Sequence, residues 1–206
     1  MKTYPSILKT WFSGVNYFVF DKLDGSNVRA EWSKQKGFYK YGSRRQLIDE
    51  SHLTLGQAPP LIREKYEDDL GRIFKKKRIE RAVVFFEFHG PLSFAGNHAP
   101  GDDLTVTLFD VDVYRKGLTP PKEFLATYGH LDIPTLLYEG RFNNDLKNQV
   151  QVCELDGITF EGVVGKGFKP GKKSNVPTMF KVKTHQWLDK LKDFCDGDSA
   201  LYRRLV

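Results

Sequence analysis

Apolar and polar positions alternate along the first third of the chain. Val15 to Phe20, Asn27 to Trp32 and Phe38 to Tyr41 are short runs separated by Asp-Gly and Lys-Gly turn signals. They are expected to form an antiparallel meander. The period then changes. Pro60 suits the first turn of a helix, and Leu61, Ile62, Tyr66, Leu70, Ile73 and Phe74 follow at helical spacing, ending in Lys75-Lys76-Lys77-Arg78. Arg81 to Phe88 is a dense apolar strand, and Leu104 to Tyr114 alternates as another. Pro120 to Tyr128 and Asn143 to Val150 read as short helices, and Ile158 to Val164 and Met179 to Val182 as the last strands. His185 to Phe194 is amphipathic, with Trp187, Leu188, Leu191 and Phe194 on one face. Gly165 to Pro177, rich in Lys, Gly and Ser, reads as one long loop. Strands with a few helices between hairpins make the expected class α+β, with antiparallel sheets and flanking helices.

Composition narrows this picture. A chain of 206 residues with 16 Phe, 9 Tyr and 3 Trp can bury a sizeable core. Its net charge of +6 favours a polyanionic partner: nucleic acid, a membrane surface or an acidic protein. No run approaches the ~18 apolar residues of a membrane span, and Met1 to Trp11 lacks the continuous apolar stretch of a signal peptide. Cys153 and Cys195 form no metal or redox motif, so a reducing, cytoplasmic setting is expected. The histidines show no ligand spacing for a transition metal.

Candidate chemistry begins where the first apolar run ends, at Asp21-Lys22-Leu23-Asp24-Gly25-Ser26. A lysine leaving a buried strand before a Gly turn can have its pKa lowered by neighbouring cations, and an unprotonated amine can attack phosphorus. Glu87 lies within the aromatic strand Phe85-Phe86-Glu87-Phe88, where a carboxylate needs a hydroxyl, a cation or a metal beside it. Glu161 repeats that pattern in Phe160-Glu161-Gly162-Val163-Val164, with a glycine that permits close approach. Lys181 and Lys183 place two ammonium groups on one face of a strand. Arg44 follows the third strand. Singly, each of these also reads as a salt-bridged strand residue. Their order along the chain carries more information than any one of them.

In that order the chain resembles the covalent nucleotidyltransferase superfamily of polynucleotide ligases and messenger-RNA capping enzymes. Lys22-Leu23-Asp24-Gly25 is similar to the family's first motif, Ser43-Arg44 to the arginine motif after it, and Phe86-Glu87-Phe88-His89-Gly90 to the third. Leu108-Phe109-Asp110-Val111 resembles the aromatic segment that follows, Glu161-Gly162-Val163-Val164 the fourth motif and Lys181-Val182-Lys183 the fifth. The resemblance implies an ATP-grasp-like adenylation domain of ligases over residues 1–183, with a short helical extension over 184–206 and no oligonucleotide-binding barrel. It implies that Lys22 becomes linked to AMP from ATP, with Lys181, Lys183 and Mg²⁺ or Mn²⁺ offsetting phosphate charge. Asp24 and Gly25 would bind the nucleotide, Arg44 and Glu87 hold the ribose, Phe109 stack on adenine and Glu161 orient metal-bound water. Leu155-Asp156-Gly157 repeats part of the first motif, but Glu154 stands where a lysine would be needed, so Lys22 is the sole candidate nucleophile.

Within the superfamily, Lys-x-Asp-Gly-Ser-Asn looks like the ATP-dependent RNA ligase branch, because Asn27 stands where DNA ligases carry arginine. The expected partner is RNA, as a nicked duplex or an RNA/DNA hybrid, with a partner protein able to supply further nucleic-acid binding and no membrane association. Lys75, Lys76, Lys77 and Arg78, and Lys166, Lys169, Lys172 and Lys173 in the long loop, are the candidate phosphate contacts. A DNA ligase, a capping guanylyltransferase and a non-catalytic nucleic-acid-binding relative are the alternative readings.

Overall fold

The computed structural model describes residues 1–168 and 177–206. Its elements run β1 (Asn16–Asp21), β2 (Ser26–Ser33), β3 (Gly37–Ser43), β4 (Leu47–Ile48), α1 (Ala58–Lys76), β5 (Arg81–His89), β6 (Thr105–Val113), β7 (Gly117–Leu118) and α2 (Pro121–Tyr128). Then follow β8 (Leu136–Arg141), α3 (Asn144–Gln151), β9 (Gly162–Gly167), β10 (Thr178–Lys183), α4 (His185–Cys195) and α5 (Ser199–Leu205). This is an α+β fold with antiparallel sheets, as the patterning predicts. The chain divides into two compact units, Met1–Pro5 with Gly25–Ile133 and Ser6–Asp24 with Pro134–Val206.

The first unit holds a sheet of six strands in the order β4-β3-β2-β5-β6-β7. Helix α1 lays Ile62, Tyr66, Leu70 and Phe74, one face at intervals of four, against a sheet face carrying Val28, Ala30, Trp32, Val84, Phe86, Phe88, Val106 and Leu108. Leu61 and Ile73 flank that stripe and are only partly buried. Where the β5–β6 register shifts between Phe85 and Phe86, the Tyr66 hydroxyl takes up the disturbed backbone. It accepts from Leu108 N at 3.1 Å and lies 3.1 Å from Val106 O.

The second unit holds four strands in the order β10-β9-β1-β8. Its core joins Val15, Tyr17, Val19, Phe142, Val150, Val163, Phe180 and Val182, with Trp11 edge-on to Phe142 at 5.0 Å.

Four expectations are corrected. The first run does not continue into a meander, because β1 pairs with β8 and β9 while β2 pairs with β3 and β5. Asp24-Gly25 is not a hairpin turn: Gly25 is not among the positive-φ glycines. Glycine is needed there for space, since a Cβ would sit 2.3 Å from Phe88 O. The strand expected over Ile158 to Val164 is instead Gly162–Gly167, so Gly165, Lys166 and Gly167 belong to β9 and not to a loop. On α4 the buried stripe is Trp187, Leu191 and Cys195, whereas Phe194 is 47% exposed, because a four-residue step keeps a helical face better than a three-residue one.

Candidate functional site

The lysine cluster is built by three segments of the second unit. Lys22 N donates to Gly162 O at 2.9 Å as the chain leaves β1. Thr184 N donates to Glu161 O at 3.1 Å as it leaves β10, and the Thr184 hydroxyl donates to Phe160 O at 2.7 Å. Asp21, 4% exposed, accepts from Thr159 N at 3.0 Å and from its hydroxyl at 2.8 Å. These bonds stitch the ends of β1 and β10 to the backbone on either side of Glu161. Gly162 makes the approach possible: its φ is +137°, and a Cβ would lie 2.1 Å from Val182 O.

On this frame the side chains converge. Lys22 Nζ lies 2.6 Å from Glu161 Oε2 and Lys183 Nζ lies 2.9 Å from Glu161 Oε1. One carboxylate, 4% exposed, therefore bridges two ammonium groups. Lys183 also donates to Leu205 O at 3.2 Å and stands 3.3 Å from the centroid of the Trp187 ring. Carboxylate, carbonyl and indole face match its three N–H donors. Burial pulls the Lys183 pKa down to about 8, with Glu161 opposing that shift and Lys22 adding to it. Lys181, two residues earlier on β10, donates to Val206 O at 2.5 Å. Asp24 accepts from Trp187 Nε1 at 2.7 Å.

The other expected residues lie in the first unit. Arg44 is exposed in the turn between β3 and β4, where the Ser43 hydroxyl accepts from Arg45 N and Gln46 N. Glu87 sits on β5 in one row with Asn27 of β2 and Thr107 of β6. The Asn27 side-chain oxygen is buried and has no partner among the described residues. Phe109, on β6, stacks with Phe85 at 6.2 Å and meets Tyr4 edge-on at 5.0 Å. Gly25 packs on Phe88 and His89.

The candidate nucleic-acid contacts divide. Lys75 and Lys76 close α1 exposed, with Arg78 beyond it, while Lys77 pairs with Glu123 at 3.0 Å. Lys166 is buried in β9 beneath Phe20, its ammonium 5.3 Å from that ring, which argues against a solvated loop contact. Lys169, Lys172 and Lys173 lie outside the described residues.

Sequence reasoning passed over Asp21, Thr159, Thr184 and the indole of Trp187. A threonine directly before an amphipathic run is a helix-cap signal, and Thr184 caps α4 by accepting from Trp187 N at 3.1 Å. Among the described residues no group of three or more His, Cys, Asp or Glu side chains is arranged to hold a metal, and no helix is long and apolar enough to cross a membrane.

No protein-family model matches the sequence, and no curated protein matches it. Solved structures of an RNA ligase from Naegleria gruberi do resemble it. A lysine-to-alanine variant with ATP and Mn superposes with a TM-score of 0.63 at 16% identity, covering 88% of this chain and 53% of that one. The same ligase with PPi gives 0.62 at 18%, covering 88% and 53%. A lysine-to-methionine variant with AMP and Mn gives 0.62 at 15%, covering 92% and 60%. The chain thus spans little more than half the length of these ligases. At such identities the likeness is one of architecture: this chain shares its fold with those RNA ligase structures.

Proposed function

We propose that the protein is an ATP-dependent RNA ligase that forms a lysyl-AMP intermediate on Lys22, transfers AMP to a 5′-phosphate end and seals it to a 3′-hydroxyl. The observation that carries this reading is the Glu161 carboxylate shared between Lys22 at 2.6 Å and Lys183 at 2.9 Å. It supports the reading because the Lys22 amine, the proposed nucleophile, has a carboxylate that could take its proton and a second ammonium close by. In the first step the Lys22 nitrogen bonds to the α-phosphorus of ATP and the bond to the pyrophosphate oxygen breaks. The departing pyrophosphate takes one of the two protons that the Lys22 ammonium loses, and the other leaves before attack to free the amine. Glu161 Oε2 is the acceptor within reach of that proton. Lys183 and Lys181 would meet the phosphate oxygens, since phosphoryl transfer needs positioning and charge neutralisation above all.

The ligand groups fit the residues present. The buried Asn27 oxygen without a partner is what a site awaiting a donor presents. Glu87 beside it would hold the ribose with Arg44, and Phe109 would stack on the base in the ATP-grasp-like manner. Mg²⁺ or Mn²⁺ takes one or two carboxylates together with substrate phosphates and water, not a protein cage. Glu161 suits that role, and the ion would supply further neutralisation of phosphate charge.

The choice of RNA ends is supported by the Ser26-Asn27 sequence after Lys22-Leu23-Asp24-Gly25, which resembles the RNA ligase branch, and by the likeness of the fold to RNA ligase structures. The phosphate backbone would be met by Lys75, Lys76 and Arg78. The test offers nicked RNA, RNA/DNA hybrid and DNA duplexes to the purified chain with ATP or GTP. Sealing of RNA ends with ATP is expected. Sealing of DNA alone makes it a DNA ligase, covalent uptake of GMP makes it a capping guanylyltransferase, and binding without any covalent step leaves only a binding module.

A further inference from the structure

Trp187 lies in the first turn of α4 and is 1% exposed. An ordinary core tryptophan offers its ring to apolar neighbours. This ring receives the Lys183 ammonium at 3.3 Å from its centroid, a cation–π distance well inside the usual limit of about 6 Å. Its N–H donates to the Asp24 carboxylate at 2.7 Å, a short charge-assisted bond. One side chain thus touches the acidic residue of the first motif and the last lysine of the fifth.

The contacts close into a circuit within the second unit. Lys22 reaches Glu161, Glu161 reaches Lys183, Lys183 reaches Trp187, and Trp187 reaches Asp24, two residues beyond Lys22. The position of the indole is fixed from behind. Thr184 accepts from Trp187 N and donates to Phe160 O, so the residue that caps α4 also ties down the segment before Glu161. A reacting group held by side chains that are themselves locked needs no rearrangement when substrate arrives.

We propose that Trp187 is a positioning residue for the lysine chemistry: its N–H fixes Asp24 and its ring fixes Lys183, so the first and fifth motifs are held in register around Lys22. This role rests on the lysyl-AMP reading, whereas the two contacts themselves do not. Trp187→Phe keeps a ring and removes the N–H, and Trp187→Leu removes both. Losing a hydrogen bond to a charged group should slow covalent AMP uptake at saturating ATP by roughly tenfold in the Phe variant. The ATP concentration for half-maximal uptake should change less than about twofold, the signature of an interaction that positions and does not bind. The Leu variant should be slower again, by a further factor of about five. In an Asp24→Ala background the Trp187→Phe effect should largely vanish, because both changes break one link. Uptake by the Phe variant at the unmodified rate, or effects that simply multiply, would overturn the proposal.

A second measurement needs no nucleotide. The Trp187 indole N–H resonance of the intact chain should exchange slowly with solvent. Asp24→Ala should move it and speed its exchange, leaving those of Trp11 and Trp32 in place. A resonance that stays put removes the bond and the proposal with it. If the resonance behaves as described while even the unmodified chain takes up no AMP, the lysyl-AMP reading fails, and with it the role given to Trp187, but the bond stands.

Discussion

Replacing Lys183 by methionine should stabilise the protein and destroy its proposed activity. The Lys183 pKa of about 8, lowered chiefly by burial, compares with 10.5 for an ordinary lysine. At about 1.4 kcal/mol per unit, holding the charged form in place costs the fold roughly 3 kcal/mol wherever both states are protonated. A folded pKa below the unfolded one means that the folded chain binds fewer protons between pH 8 and 10.5. Stability of the unmodified chain therefore rises with pH across that window, and the full cost applies below it. Methionine has similar length and no charge, and Glu161 keeps Lys22 as a partner. Allowing about 1 kcal/mol for the lost cation–π contact, Lys183→Met should gain about 2 kcal/mol at pH 7. Urea unfolding of both chains at pH 7 and pH 10 tests this. The gain should be greatest at pH 7 and shrink toward pH 10, while AMP uptake falls by a hundredfold or so, as for loss of one preorganised electrostatic contact. A variant less stable than the unmodified chain at pH 7, or a gain that does not change with pH, would refute the reasoning.

Thr184→Ala removes the cap of α4 and the bond to Phe160 O, and should cost about 1–2 kcal/mol in urea unfolding while slowing AMP uptake. An unchanged rate would show that the segment before Glu161 is held by other means. Gly162→Ala forces a Cβ toward Val182 O and should cost about 3 kcal/mol or more; a midpoint of unfolding near that of the unmodified chain would contradict the close approach. Changing Lys75, Lys76 and Arg78 to serine should flatten the salt dependence of RNA binding by about 0.7–0.9 per lost contact and leave AMP uptake unaltered. Binding with the same salt slope would place the RNA elsewhere.

The sequence made the charged positions more legible than the pairing. Lys22, Glu161 and Lys183 could be picked out because a buried cation or carboxylate inside an apolar run is costly and must be answered by another charge. Their convergence on one carboxylate could not be read, since it depends on which strands pair. The period-two pattern states which residues share a face but says nothing about the neighbour, so β1 looked like the partner of β2 and is instead flanked by β8 and β9. Strand β8, Leu-Leu-Tyr-Glu-Gly-Arg, went unread because none of its residues is fully buried and its pattern does not alternate. The helices fared better: four-residue steps such as Ile62, Tyr66, Leu70 and Phe74 mark a single face unambiguously. Trp187 was legible as an apolar face position, and its polar edge was not, because nothing local distinguishes an indole N–H that meets a carboxylate from one that meets a carbonyl. Lys166 was misread for a related reason. Flanking glycines look like loop, yet here they lie within a strand whose lysine runs over Phe20.

The central claim is that Lys22 is the residue that becomes joined to AMP. Intact-mass analysis of the purified chain after incubation with ATP and Mg²⁺, followed by peptide mapping, tests it directly. One AMP adduct is predicted, on Lys22, labile to acid as a phosphorus–nitrogen bond should be, and absent from Lys22→Ala protein. An adduct that persists in Lys22→Ala protein, or that maps to any other residue, would contradict the account.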